Sequence, residues 1–200
     1  MPTGEPFPRL FVALPLPEPI KQQLGSSAAK LKLAASFRKW THPADLHITL
    51  KFLGGVDPAL DGSIDAALGK IAARGYPFEL RLAGFGTFGL KASPRVLWAS
   101  VDGNLKQLNV LQADVESEIS PLGFPAENRP YAPHVTIARQ YSGSSPFRLD
   151  AVQSAFPFQA PDSKDGGLAW TVDRIVLYRS HLGRSPMYEP IRTYPFHAGG

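Results

Sequence analysis

Short apolar runs alternate with longer one-sided stretches along the whole chain, and proline or glycine separates most of them. Arg9-Leu10-Phe11-Val12-Ala13-Leu14 reads as a strand stopped by Pro15 and Pro17. From Glu18 to about Leu33 the apolar residues Ile20, Leu24, Ala28 and Leu31 recur at helical spacing just after a proline, which predicts an amphipathic helix. A loop at 40–45 leads into a strand at 46–53 that ends in Gly54-Gly55, and a second helix runs from Pro58 to about Ala73. Strand character at 78–82, 84–88 and 95–101 completes the first half. The second half repeats this order. A helix over 104–119 carries Leu105, Leu108, Leu111, Val115 and Ile119 on one side, and a proline-rich connection comes next at 121–133. A strand at 134–139, a short helix at 146–156 and strands at 170–178 and 188–196 complete the chain. Ser142-Gly143-Ser144-Ser145 and Gly166-Gly167 read as loops rather than linkers between domains. Two halves of about 100 residues with one order of elements hint at an internal duplication.

Composition narrows the class. With 44% hydrophobic and 19% charged residues in 200, the chain has the makings of a core and is not disordered. The absence of cysteine excludes disulfides, thiolate metal sites and a thiol nucleophile. No apolar run approaches the roughly 20 residues of a membrane span. The N-terminus lacks the basic-then-apolar order of a signal peptide. The expectation is one domain over 1–200, cytoplasmic and monomeric, with no membrane and no obligatory protein partner. A net charge of +4 suits an anionic ligand such as phosphate or RNA, and suits an ordinary solvated surface equally well.

One pair of motifs carries chemistry. His47-Ile48-Thr49-Leu50 and His134-Val135-Thr136-Ile137 each lie in a predicted strand. Alternation puts His47 and Thr49 on one face and Ile48 and Leu50 on the other, and the second motif does the same. Random placement of the five histidines would yield only about 0.2 His-x-Thr triplets. Two imidazoles suit general acid–base work, one taking a proton from water while the other gives one to a leaving oxygen. Two hydroxyls suit the non-bridging oxygens of a phosphate. No carboxylate cluster accompanies them, as a metal-held phosphate site would require, so the best fit is metal-free hydrolysis of a strained phosphodiester.

The spacing and the flanking segments resemble a known family. Arg9 to Pro17, Leu46 to Gly54 and Arg129 to Arg139, with Leu182-Gly183 and Tyr188-Glu189-Pro190-Ile191 near the end, look like the two-histidine phosphoesterases. More specifically, they resemble the RNA 2′,3′-cyclic phosphodiesterases, also called RNA 2′-5′ ligase-like proteins. The resemblance implies an α+β, bilobal, pseudo-twofold duplicated fold: antiparallel sheets, helices on the outer faces and a central cleft. The lobes would fall roughly at 9–100 and 101–197. It implies no metal and no cofactor. It implies hydrolysis of an RNA terminal 2′,3′-cyclic phosphate to a 2′-phosphomonoester, with His47 as proton donor and His134 as proton acceptor. Thr49 and Thr136 would hold phosphate oxygens. Arg139 matches a phosphate-contacting arginine, although strict alternation puts it on the face opposite His134, and a bulge or the strand's end is needed to turn it inward. Lys51 shares parity with His47 and is a candidate cleft residue. Asp45 stands where the family often has an uncharged amide; an acid there either orients His47 or merely opens the strand, and we favour the latter.

The same two histidines would serve another cyclic phosphate, such as ADP-ribose 1″,2″-cyclic phosphate. An RNA-end binding or 2′-5′ ligating protein is the other alternative. His42, five residues before His47, lacks further metal ligands, and His181 and His197 read as solvated. Trp40, Trp98 and Trp170 read as core, Phe85 and Phe88 as aromatics of a glycine-rich loop, and Arg129, Tyr131 and Arg148 as candidate RNA backbone contacts.

Overall fold

The computed structural model describes residues 7–156 and 168–197, so Gly166-Gly167 lies outside the described residues. In chain order the elements are β1 (Arg9–Pro15), α1 (Glu18–Ala34), β2 (Phe37–Trp40), β3 (His47–Gly55), α2 (Asp61–Arg74), β4 (Phe78–Leu90), β5 (Ser93–Gly103) and α3 (Leu105–Ile119). They continue with β6 (His134–Tyr141), α4 (Leu149–Ala155), β7 (Ala169–Val172), β8 (Arg174–Ser180) and β9 (Tyr188–Pro195). The stretch 78–88 is one strand that absorbs its glycines through register shifts against β5, and 170–178 breaks at Asp173 into two strands. The short β2 falls between the helix and the loop that the sequence predicts, where the pattern assigns no element.

The described strands form one antiparallel sheet in the order β7-β4-β5-β6-β3-β1-β8-β9, with β2 also paired to β6. The α+β class and antiparallel pairing are as expected. The two lobes are not successive halves of the chain, however. β4 and β5 from the first hundred residues lie beside β6, while β8 and β9 from the C-terminal end lie beside β1. The lobes meet along β3 and β6, so their strands make one continuous sheet rather than two. A division at residue 100 therefore does not match the architecture.

The helices cover one face. Val12, Leu14, Ile48, Leu97, Ala99, Val135 and Ala138 are fully buried beneath them, alongside Ile64 and Leu68 of α2 and Leu108 and Val115 of α3. This pattern pins the register of the two motif strands. A one-residue slip would expose Ile48, Leu50, Val135 and Ile137 at about 2 kcal/mol each. On the other face a smaller cluster of Phe11, Ala13, Val176 and Tyr178, with Tyr188 against it, supports the lobe that carries His47.

Candidate active site

The site grows from the seam where β3 meets β6. β3 and β6 pair antiparallel through Ile48 and Val135. Carried one residue either way, that register sets His47 across from Thr136 and Thr49 across from His134. All four polar side chains lie on the open face, opposite the helices, and each is partly exposed. The structure thus brings together the four residues that the motif pair predicts.

Each imidazole is fixed in the same way. His47 Nδ1 donates to the Asp45 carbonyl at 2.6 Å, and His134 Nδ1 donates to the Ala132 carbonyl at 2.7 Å. A carbonyl can only accept, so in both rings the proton of the neutral form sits on Nδ1 and Nε2 is left for chemistry. The Thr49 hydroxyl meets His47 Nε2 at 3.0 Å. Aromatic rings hold the imidazoles in place. Phe11 lies 5.0 Å and Tyr188 5.2 Å from the His47 ring, and Phe88 lies 5.0 Å edge-on to His134. Trp98 stands on the same face, 6.1 Å from His134, rather than in the core; its large ring fits only because its cross-strand neighbour is Gly86, where a Cβ would come within 2.3 Å of the indole. Phe88 lies in β4, as the strand character of 84–88 predicts.

Burial depresses both histidines. His47 is lowered to about 4, chiefly because the charged ring loses solvent, with His134 and Lys21 adding to the effect and Asp45 opposing it. His134 is lowered by burial first and by the nearby Arg139 guanidinium. Both rings are neutral at neutral pH.

A shared backbone irregularity decides what lies beyond the motifs. Against β1, the register jumps from Thr49 to Lys51, and against β5 it jumps from Thr136 to Ala138. Leu50 and Ile137 are therefore the extra residues of matched bulges, and each bulge reverses the parity of the residues after it. Arg139 returns to the open face, where its charge acts on both His134 and Tyr188. Lys51 goes the other way. It is 2% exposed on the helix face, where Nζ donates to Glu116 of α3 at 2.6 Å and to the Pro125 carbonyl at 2.9 Å. The expectation that Lys51 lines the cleft fails because alternation does not carry through a bulge. Phe52 takes the position in β3 that Arg139 takes in β6, and it is 63% exposed. Sequence reasoning passes over Phe52, although its place five residues after the motif histidine invites comparison with Arg139.

Asp45 is also more than a strand opener. It is 6% exposed, and its carboxylate accepts from the backbone N–H of Met187 at 2.8 Å and of Tyr188 at 3.0 Å. One residue thus anchors His47 through its carbonyl and the entry of β9 through its side chain. Tyr131, expected as an RNA contact, instead donates its hydroxyl to the Thr49 carbonyl at 3.1 Å and ties the approach to β6 onto β3. Arg129 and Arg148 are exposed and pair with Glu127 and Asp150. His42 Nδ1 accepts from the Ala44 N–H, and His181 pairs with Glu189. Trp170 is buried, and Trp40 packs partly buried against the core, as expected. Among the described residues no three His, Asp or Glu side chains are placed to hold a metal ion, and no helix is long and apolar enough to cross a membrane.

Comparison with known proteins agrees with this geometry. A family model of the 2′-5′ RNA ligase superfamily matches residues 16–184. A Bacillus subtilis protein named RNA 2′,3′-cyclic phosphodiesterase is 34% identical over 184 residues, covering 92% of this chain and 94% of the relative. A Geobacillus stearothermophilus protein of the same name is 38% identical over 92% of this chain, which spans 56% of that relative's length. The crystal structure of E. coli LigT complexed with 3′-AMP superposes with a TM-score of 0.73 at 25% identity, covering 94% of this chain and 98% of that one. The matched span contains both motif strands and the whole seam between them, and the chain belongs to the 2′-5′ RNA ligase superfamily.

Proposed function

We propose that this chain is an RNA 2′,3′-cyclic phosphodiesterase that opens a terminal cyclic phosphate to a 2′-phosphomonoester without a metal ion. His47 gives its proton to the departing O3′, and His134 takes a proton from the attacking water. The observation that carries the chemistry is the pair of imidazoles, each locked through Nδ1 onto a carbonyl and each facing the open side of one strand seam. The RNA substrate is supported by the names of the relatives. A cytoplasmic monomer completes the reading.

The depressed histidines fit this role once the substrate's charge is counted. An anionic phosphate about 4 Å from an imidazole, in surroundings of effective dielectric about 20, contributes roughly 4 kcal/mol. That is about three pKa units. It would bring His47 from about 4 to near neutrality and so let the substrate charge its own acid. Repulsion between two imidazolium rings keeps the second neutral. Among the fixed charges, Asp45 promotes a cation on His47 and Lys21 opposes it, while Arg139 opposes a cation on His134; the assignment of the acid to His47 follows the family resemblance. Thr49 and Thr136 hold the phosphate oxygens as negative charge builds on them. Phe52 offers an exposed aromatic face on which a base can stack.

The test is a cleavage assay on a short RNA ending in a 2′,3′-cyclic phosphate, with EDTA present, reading the position of the product phosphate. Wild type is expected to give the 2′-phosphate. His47→Ala and His134→Ala are each expected to lose about 10²–10⁴ in rate. Absence of turnover by the wild type would sink the RNA-end reading. Turnover confined to ADP-ribose 1″,2″-cyclic phosphate would move the same chemistry to that substrate.

A further inference from the structure

β3 and β6 stay together only around Ile48 and Val135, and past that point β2 takes the place beside β6. The new neighbours are Lys39 and Arg139, directly opposite one another. Residues opposite in an antiparallel pair project to the same side. Arg139 faces the open side beyond its bulge, across from Val96, so Lys39 faces it too. Trp40, the next residue, turns to the helix side, as its pairing with the buried Ala138 requires.

Two like charges set directly opposite destabilise a strand pair. Here nothing among the described residues offsets them, since neither Lys39 nor Arg139 makes an ion pair and both are exposed. The backbone is also strained at this point. Gln140, immediately after Arg139, has φ of 62°, the one positive φ among the described non-glycine residues. Unrelieved repulsion beside local strain is the arrangement expected where an anion is to be seated.

Resting on the cyclic-phosphate reading above, we infer that Lys39 and Arg139 form a second phosphate subsite, which holds the phosphodiester one nucleotide upstream of the terminal cyclic phosphate. The direction comes from the register. In the antiparallel seam, going from Val135 towards Arg139 on β6 is going from Ile48 towards His47 on β3. Arg139 and Lys39 therefore lie on the His47 side of the centre. The terminal ribose carries the departing O3′ and must lie on the side of the proton donor. The RNA strand leaves the site from that ribose, across the cationic pair. A lone nucleoside 2′,3′-cyclic phosphate has no group to place there, so this subsite selects polynucleotide ends over mononucleotides.

The experiment compares kcat/KM for a nucleoside 2′,3′-cyclic phosphate and for a dinucleotide ending in the same group. Wild type, Lys39→Ala and Lys39→Arg are measured over a range of salt. One contact to single-stranded nucleic acid contributes about 0.7 to the slope of log affinity against log salt, or about fivefold at 0.1 M. Lys39→Ala is expected to lower the dinucleotide-to-mononucleotide ratio about fivefold and to flatten the dinucleotide salt slope by about 0.7, with Lys39→Arg restoring both. An unchanged ratio and slope in Lys39→Ala overturn the subsite while leaving the cyclic-phosphate reading intact. Turnover of neither substrate by the wild type overturns that reading, and the subsite with it.

Discussion

The depressed His47 makes folding stability depend on pH within a defined window. Its folded value is about 4 against 6.5 when unfolded, because the charged ring is disfavoured among Phe11, Tyr178 and Tyr188. Between those values the unfolded chain binds more protons than the folded one, so stability rises with pH across the window and is lost as pH falls from 6.5 towards 4. Linkage gives a loss of at most about 2 kcal/mol on going from pH 7.5 to pH 5, an upper bound because the ring is partly open to solvent. His47→Gln removes this titration and keeps a side-chain N–H for the Asp45 carbonyl. Urea unfolding monitored by tryptophan fluorescence, run at both pH values, should show the variant gaining on the wild type by up to about 2 kcal/mol at the lower one. His134 titrates in the same direction and is common to both proteins, as are the carboxylates. A bound anion must reverse the effect by drawing the proton back. Sulfate, whose charge is constant over this range, should bind the wild type at least about tenfold more tightly at pH 5.5 than at pH 7.5, with most of that dependence gone in His47→Gln. Stability curves that run parallel for the two proteins, together with a sulfate affinity that ignores His47, would refute the account of a neutral histidine charged by its ligand.

Two further substitutions test the supports beneath the site. Asp45→Ala leaves the Met187 and Tyr188 N–H groups without their carboxylate, and at about 1.5 kcal/mol or more for each charge-assisted bond it should cost about 3 kcal/mol, read as a fall in Tm of roughly 6–12 °C. Asp45→Asn keeps an acceptor and should fall between. Lys51→Met should cost about 2–4 kcal/mol by stranding Glu116 and the Pro125 carbonyl, and Lys51→Met/Glu116→Gln should recover much of that loss, as measured by chemical denaturation. A cleft lysine would show neither the loss nor the recovery.

Legible and hidden features of the sequence divide at the two bulges. The motif strands are readable because each is a short alternating run whose apolar face must be buried, and burial fixes the face of His47, Thr49, His134 and Thr136. The helices are readable for the same reason, since α1, α2 and α3 begin at or near the positions their periodicity predicts. Lys51 is misplaced because a bulge is not encoded in alternation: it is stabilised by what it lets the next residue reach, and Glu116 lies 65 positions away. The interleaving of the lobes is hidden in the same way. β8 could pair with β1 or with the strands that precede it at no difference in local propensity, and only packing between distant segments chooses.

The matched bulges also leave the site with two different ends. Up to Leu50 and Ile137 the halves agree in every feature the chemistry uses: histidine, threonine, the Nδ1–carbonyl bond and the parity reversal. Beyond them the halves diverge, with buried Lys51 and exposed Phe52 on one side and buried Ala138 and exposed Arg139 on the other. A symmetric pair of imidazoles has no reason to prefer one direction for a bound phosphodiester. A cation at one end and an aromatic ring at the other give it one, since the first draws a phosphate and the second a base. On the proposed reading, the division of labour between two chemically identical histidines is set by residues that never touch the proton being moved.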